Sequence, residues 1–160
     1  MLTDKDLEEL RQERHDDYLA EARQEREAAL SQRRAQTLKH YSQEQQDAAL
    51  SLYNAARTML DTGGGGTCAR LLLGLYNGNR FPFDLTDLRR LDGGLHRAAM
   101  IMVDMDSRHT WCEIHVLLDA ILGLPCGTST GANLELWAHR LRLKGRCNKD
   151  AIPDLQVRCA

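Results

Sequence analysis

Neither sign of charge dominates this sequence. Its 21 basic residues face 23 acidic ones for a net charge of -2, which excludes a globally basic chain that coats nucleic acid and leaves room only for a local basic patch. No apolar run approaches the roughly 18 residues that a membrane-spanning helix needs, so no membrane partner is expected. The five cysteines, Cys68, Cys112, Cys126, Cys147 and Cys159, are odd in number and far apart. No secretory signal is evident at the start, so a disulfide framework is not expected, and a reducing compartment, the cytoplasm, is. Glycine and proline are absent before Gly63, which removes the strongest helix breakers from everything upstream. What is present, 42% hydrophobic and 28% charged residues over 160 positions, excludes collagen-like and strongly disordered chains and suits one compact domain with an extension.

That extension is residues 1–41. Between residues 1 and 34, ten acidic side chains (Asp4, Asp6, Glu8, Glu9, Glu13, Asp16, Asp17, Glu21, Glu25 and Glu27) face seven basic ones, with scattered Leu and Ala and one Tyr. The Glu, Gln, Arg, Ala and Leu content favours helix, but a heptad begun at Leu7 and Leu10 continues through Arg14, Asp17 and Gln24, which is no coiled-coil seam. No acid has Lys or Arg four residues later, whereas Glu9/Glu13, Glu13/Asp17, Asp17/Glu21 and Glu21/Glu25 set like charges at that spacing. The arm is therefore expected to be marginally helical alone, solvated or ordered by a partner. Deleting residues 1–38 is expected to change stability little.

The domain, residues 42–160, reads as helices. Ala49, Leu52, Tyr53, Ala56, Met59 and Leu60 recur at helical spacing behind Ser42 as cap, and that helix is expected to stop at Gly63–Gly66. Cys68 to Tyr76 is apolar enough for a short buried helix ended by Asn77-Gly78. Asp84 or Thr86 can cap a turn carrying Leu85, Leu88 and Leu91, and Asp92 can cap a helix running to about Met105. The favoured reading of Ala98–Val103 is helix, with a small β-hairpin over 98–118 as the alternative. Thr110 and Glu113 have capping-box spacing ahead of Ile114, Leu117, Leu118, Ile121 and Leu122, a stripe closed by Gly123 and Pro125. Leu134, Trp137, Ala138 and Leu141 define a last helix, ended by Gly145.

The run from Thr62 to Asp92 contains Asn77-Gly-Asn-Arg80-Phe-Pro-Phe-Asp84-Leu-Thr-Asp87-Leu-Arg89-Arg-Leu-Asp92. It resembles an uncharacterised family of small proteins from proteobacterial plasmids, integrative conjugative elements and prophages. The resemblance extends through Glu113-Ile-His115 and the Trp137 helix, over roughly residues 45–143. It implies a mobile-element setting and no known reaction.

Four constellations can carry chemistry. Gly63–Gly66 ahead of a helix offers amides to an anion, but no Lys-Ser/Thr pair follows as a phosphate loop requires, and a close helix crossing is the favoured reading. His109, Cys112 and His115 recur every three residues with zinc-type donors, and Cys126, Cys147 or His96 can complete four. That spacing matches no common zinc module, so packing is favoured over metal or over a Cys/His nucleophile, and no metal or cofactor is expected. Asn79, Arg80, Phe81, Phe83, Asp84, Asp87 and Arg89 surround Pro82. Structurally, Asp84 caps and Arg80 pairs with Asp87 or Asp92; functionally, an exposed aromatic and Arg loop binds a partner. Catalysis by Asp84 and Asp87 is disfavoured, since Arg beside both holds both ionised. Last, Arg140, Arg142, Lys144, Arg146 and Lys149 crowd the exit of the final helix, where they can contact phosphates, complement the helix dipole or receive the acidic arm.

The expectation is a mostly α protein, a compact helical domain with a long charged N-terminal helical arm and no catalytic residues. Its expected role is that of a noncatalytic accessory protein of a mobile genetic element. Asn79, Arg80, Phe81, Phe83, Asp84, Asp87 and Arg89 would bind a protein partner, a host or defence factor. The alternative is a nucleic-acid-binding or regulatory module using Arg140, Arg142, Lys144, Arg146 and Lys149.

Overall fold

The computed structural model describes residues 4–108, 110–125, 129–143 and 146–151, with Asp4, Asp6 and Ser129 as backbone alone. The chain is mostly α-helical, with no strand among the described residues. The helices are α1 (Asp4–Leu38), α2 (Gln43–Met59), α3 (Gly63–Tyr76), α4 (Gly93–Arg108), α5 (Ile114–Leu122) and α6 (Ser129–Arg140). Short 3₁₀ turns occupy Leu85–Arg90 and Lys149–Ala151. The hairpin alternative is set aside, because Ala98–Val103 lie inside α4 and Ile114–Leu118 begin α5. Ala98, Ala99, Met102 and Met105 line the buried side of α4, a helical period that a strand would split between two faces. No described helix is long and apolar enough to cross a membrane.

The domain is built around α2. Its start is a complete capping box: the Ser42 hydroxyl accepts from the Gln45 amide at 3.2 Å while the Gln45 side chain accepts from the Ser42 amide at 2.9 Å. Its inner face is small, with Ala49, Leu52 and Ala56 fully buried, and α3 and α4 pack closely against it. Cys68, Leu72 and Leu73 of α3, Ala99 and Met102 of α4, Leu117 and Leu118 of α5, and Leu134 and Ala138 of α6 complete the core.

Gly63–Gly66 do not follow a helix as a terminator; they are the first turn of α3, which Thr62 caps by accepting from the Gly65 amide at 3.0 Å. Close approach explains them. A Cβ at Gly65 would lie 1.9 Å from the Met59 carbonyl oxygen, so α3 crosses the end of α2 at a distance only glycine permits.

Thr110 does not cap α5, which begins at Ile114 with Glu113 in the cap position and no side-chain cap. The Thr110 hydroxyl donates instead to the Asp106 carbonyl at 2.8 Å, one turn back at the end of α4. Asp92 does cap α4, its carboxylate accepting from the Leu95 amide at 2.9 Å.

Burial, and then the charge of Asp92, push the Cys68 thiol up from 9.0 to about 11. The folded state thus favours the protonated thiol, whereas the unfolded chain ionises first. Stability from this group is full below pH 9 and lost as pH rises toward about 11. The loss is on the order of 2 kcal/mol. A denaturation series from pH 8 to 11 should show a shallower alkaline loss for Cys68→Ala than for the parent.

The arm is divided by its contacts. Residues 7–21 are exposed along their whole length, whereas the last turns run beside α5, where Leu30, Arg33, Arg34 and Thr37 approach Val116, Ala120 and Leu124. Arg34 donates from Nε to the Ala120 carbonyl at 2.7 Å and from a terminal nitrogen to the Ile121 carbonyl at 3.4 Å. It therefore satisfies the acceptor end of a helix that stops at Gly123 with φ 68°. Gln46 then donates to the carbonyls of Leu38 at 3.3 Å and Tyr41 at 3.0 Å, and Tyr41 is 6% exposed. The arm is anchored at its root. Removing residues 1–26 should leave the thermal midpoint nearly unchanged. Removing residues 1–38, which takes away the Arg34 cap and the partly buried Leu38, should cost about 2 kcal/mol.

Candidate functional site

The block expected to meet a partner is instead largely occupied within the fold. Asn77 accepts from the Arg80 amide at 3.1 Å and turns the chain after α3. Phe81, 2% exposed, then enters the core, and Phe83 packs against it. The segment crosses α3 so closely that a Cβ at Gly74 would lie 3.2 Å from the Phe83 Cβ. Arg80 pairs with neither Asp87 nor Asp92. Its two terminal nitrogens donate to the two oxygens of Glu135 in α6 at 2.7 and 2.9 Å, and its Nε donates to the Arg146 carbonyl at 2.9 Å. The Asn148 amide also donates to Glu135, and the Tyr76 hydroxyl reaches it at 3.5 Å. This node ties the turn after α3 to α6 and to residues 146–148. Phe81 is therefore held in the core, and Arg80, its side chain 31% exposed, is engaged by Glu135 and the Arg146 carbonyl.

The rest of the block is mixed. Asp84 caps the 3₁₀ turn by accepting from the Thr86 amide and hydroxyl, both at 2.8 Å. Those bonds, the amide's first, hold its carboxyl below the usual carboxylate range. Asp87 contacts Arg90 at 3.5 Å. Asn79, Asp84 and Arg89 remain exposed, and so does Leu85 at 68%.

Beside the node, Tyr76, Arg80, His115, Gly131, Glu135, Asn148 and neighbouring backbone line an open cleft of about 370 Å³. Burial first, and the Glu135 charge second, raise the Tyr76 hydroxyl above the usual phenol range, so it keeps its proton. Hydrogen bonding to Glu135 raises the Arg80 guanidinium too. The His115 Nδ1 is buried without a hydrogen-bond partner, its ring edge-on to Tyr76 at 5.2 Å. The cluster holds a carboxylate by donors already assigned to it, which suits fixing geometry rather than transferring protons.

The remaining constellations are only partly described. Cys112 lies 3.3 Å from the Tyr41 hydroxyl, and Cys147 is 4.0 Å from the His139 Nδ1. No three metal-type donors come together among the described residues, while His109 and Cys126 lie outside them. At the basic exit of α6, Arg140 contacts Asp61 at 3.3 Å, and Arg142, Arg146 and Lys149 are exposed; Lys144 lies outside the described residues.

An unexpected feature stands at the root of the arm. Trp111, in the loop before α5, is 64% exposed and stacks on His40 with ring centroids 3.7 Å apart and planes at 19°. The loop is fixed, because the Tyr41 hydroxyl accepts from the Cys112 amide at 3.1 Å. Arg33, Gln36, Thr37, Lys39 and His40 face it across a groove of about 470 Å³. The signal in sequence is slight: a Trp beside Cys112 reads as core, and Lys39-His40 as part of the solvated arm.

The turn after α3 and the wall formed by Trp111 share one family-matched stretch. Residues 46–122 match a family of unknown function, DUF7673. The matched stretch runs from α2 through α5 and leaves out α1, the Arg34 cap and Glu135. Neither curated proteins nor solved structures hold a match to the chain.

Proposed function

We propose that the protein is a noncatalytic accessory protein of a proteobacterial mobile genetic element, acting in the cytoplasm, and that it binds a protein partner, a host or defence factor. The observation that carries the reading is the arm. A helix of 35 residues is about 52 Å long, and about 35 Å of it precedes Glu27, where the flank of α5 begins. Along that stretch Leu7, Leu10, Tyr18 and Leu19 are 40–67% exposed among charges. Its visible support is slight, consisting of exposed pairs such as Lys5 with Glu9 at 3.7 Å and Arg11 with Glu8 at 3.5 Å. A polar helix of this kind is marginal alone, and a rigid root at Arg34 and Tyr41 aims it outward. The partner supplies the missing apolar cover. This moves the contact surface from the Arg80 block to α1, with Asn79, Phe83, Asp84, Asp87 and Arg89 as a lesser surface beside Leu85.

The test is capture from nuclease-treated extract of the native host by three baits: the full chain, a chain lacking residues 1–26, and a full-length chain carrying Leu7→Ser, Leu10→Ser, Tyr18→Ser and Leu19→Ser. A protein captured by the first bait and lost by both others supports the reading. Equal capture by all three, or capture that vanishes with nuclease, contradicts it.

A further inference from the structure

The groove at the root of the arm combines two features that are individually ordinary and together point to a ligand. Trp111 is one of two tryptophans in the chain, and the other, Trp137, is 4% exposed and packs on Tyr53 in the core. Trp111 has one face on His40 and 64% of its surface in water, so the opposite face is a flat platform left open. The platform does not swing: the bond from the Cys112 amide to the buried Tyr41 fixes its backbone, and the His40 stack fixes its ring. A pre-ordered aromatic loses little conformational freedom when a second ring stacks on it.

The second feature is charge. The described residues lining the groove include Arg33 and Lys39 and no carboxylate. Neither Arg33 nor Lys39 forms an ion pair among the described residues, although the chain as a whole is slightly acidic. The groove is thus a local cationic site beside an open aromatic face.

We propose that this groove binds single-stranded nucleic acid, with an unpaired base stacked on Trp111 and adjacent phosphates held by Arg33 and Lys39. Each nucleotide carries one flat ring and one anion, the pair of groups that this surface receives. Duplex is disfavoured because its bases already stack on one another, whereas a single strand offers a free face to an aromatic platform. The site is distinct from the basic exit of α6 and from the exposed stretch of the arm.

The test uses the purified full-length chain and a fluorescein-labelled oligo(dT) of about 15 nucleotides, within the usual span of single-strand sites, followed by anisotropy at two salt concentrations. Binding should quench tryptophan emission, since Trp111 is the exposed indole. Trp111→Ala should weaken binding about tenfold or more, and Trp111→Phe should recover part of the loss. Replacing Arg33 and Lys39 with alanine should reduce the salt slope by about 1.4, or 0.7 per phosphate contact. A duplex of equal length should bind at least tenfold more weakly. A chain lacking residues 1–26 should bind as the parent does, so failure of the arm reading and failure of this one are separable. No binding at low salt, equal binding by Trp111→Ala, equal binding of duplex, or a Trp111→Ala defect confined to capture of a protein would each overturn the proposal.

Discussion

Gly65→Ala should prevent the domain from folding or destabilise it by more than about 4 kcal/mol. The added Cβ would sit 1.9 Å from the Met59 carbonyl oxygen, 2.4 Å from its carbon and 2.9 Å from the Ala55 oxygen, all of them backbone atoms. No side chain can rotate away, so α2 and α3 must separate, and Ala55, Ala56, Cys68 and Ala69 lose their packing along that crossing. Gly63→Ala is the matched control, because a Cβ there meets nothing within 4 Å. It should be neutral or stabilising by about 0.5–1 kcal/mol, since it replaces a flexible residue in a helical turn. Urea denaturation of both variants checks the contrast, and equal stabilities would show that the crossing is looser than described.

The second large effect is expected at Glu135. Its side chain is 3% exposed, that of Arg80 is 31% exposed, and the two are joined by paired hydrogen bonds. Glu135→Ala should cost about 3 kcal/mol, because it strands the Arg80 charge against the fold and removes the acceptor for the Asn148 amide. Arg80→Ala should cost at least as much, since it leaves the Glu135 carboxylate, 3% exposed, without its counter-charge, whereas solvent reaches part of a stranded Arg80 guanidinium. The double variant should fall well short of the sum, as both remove the same node. Equilibrium denaturation of the two single variants and the double variant measures the coupling. Additive losses would mean that the two residues act separately.

The helices were legible where one face alternates apolar and polar residues at 3.6-residue spacing: Ala49, Leu52 and Ala56 mark α2, and Leu117, Leu118 and Ile121 mark α5. Local capping chemistry was legible at Ser42, Asp84 and Asp92, because each cap acts within three residues. Gly63–Gly66 were misplaced because a glycine run reads as a break, and only the position of α2 shows that the run sits within a helix. The node was half legible. Arg80 announced itself, but its partner lies 55 residues on, and the nearer acids Asp87 and Asp92 are the natural guesses. Glu135 left one trace, an acid inside the apolar run Leu134-Glu-Leu-Trp137. Arg34 left none and Trp111 only a slight one, since a cap supplied 86 residues away and an open stacking face both depend on the placement of α1.

Amide hydrogen exchange on the full chain, alone and with its captured partner, measures the central claim directly. Alone, residues 7–26 should exchange within the fraying range while α2 and α3 approach the global stability. With the partner, protection should rise in residues 7–26 and remain unchanged in the core helices. An arm that stays unprotected while protection appears over 79–89 or at the exit of α6 would contradict the account.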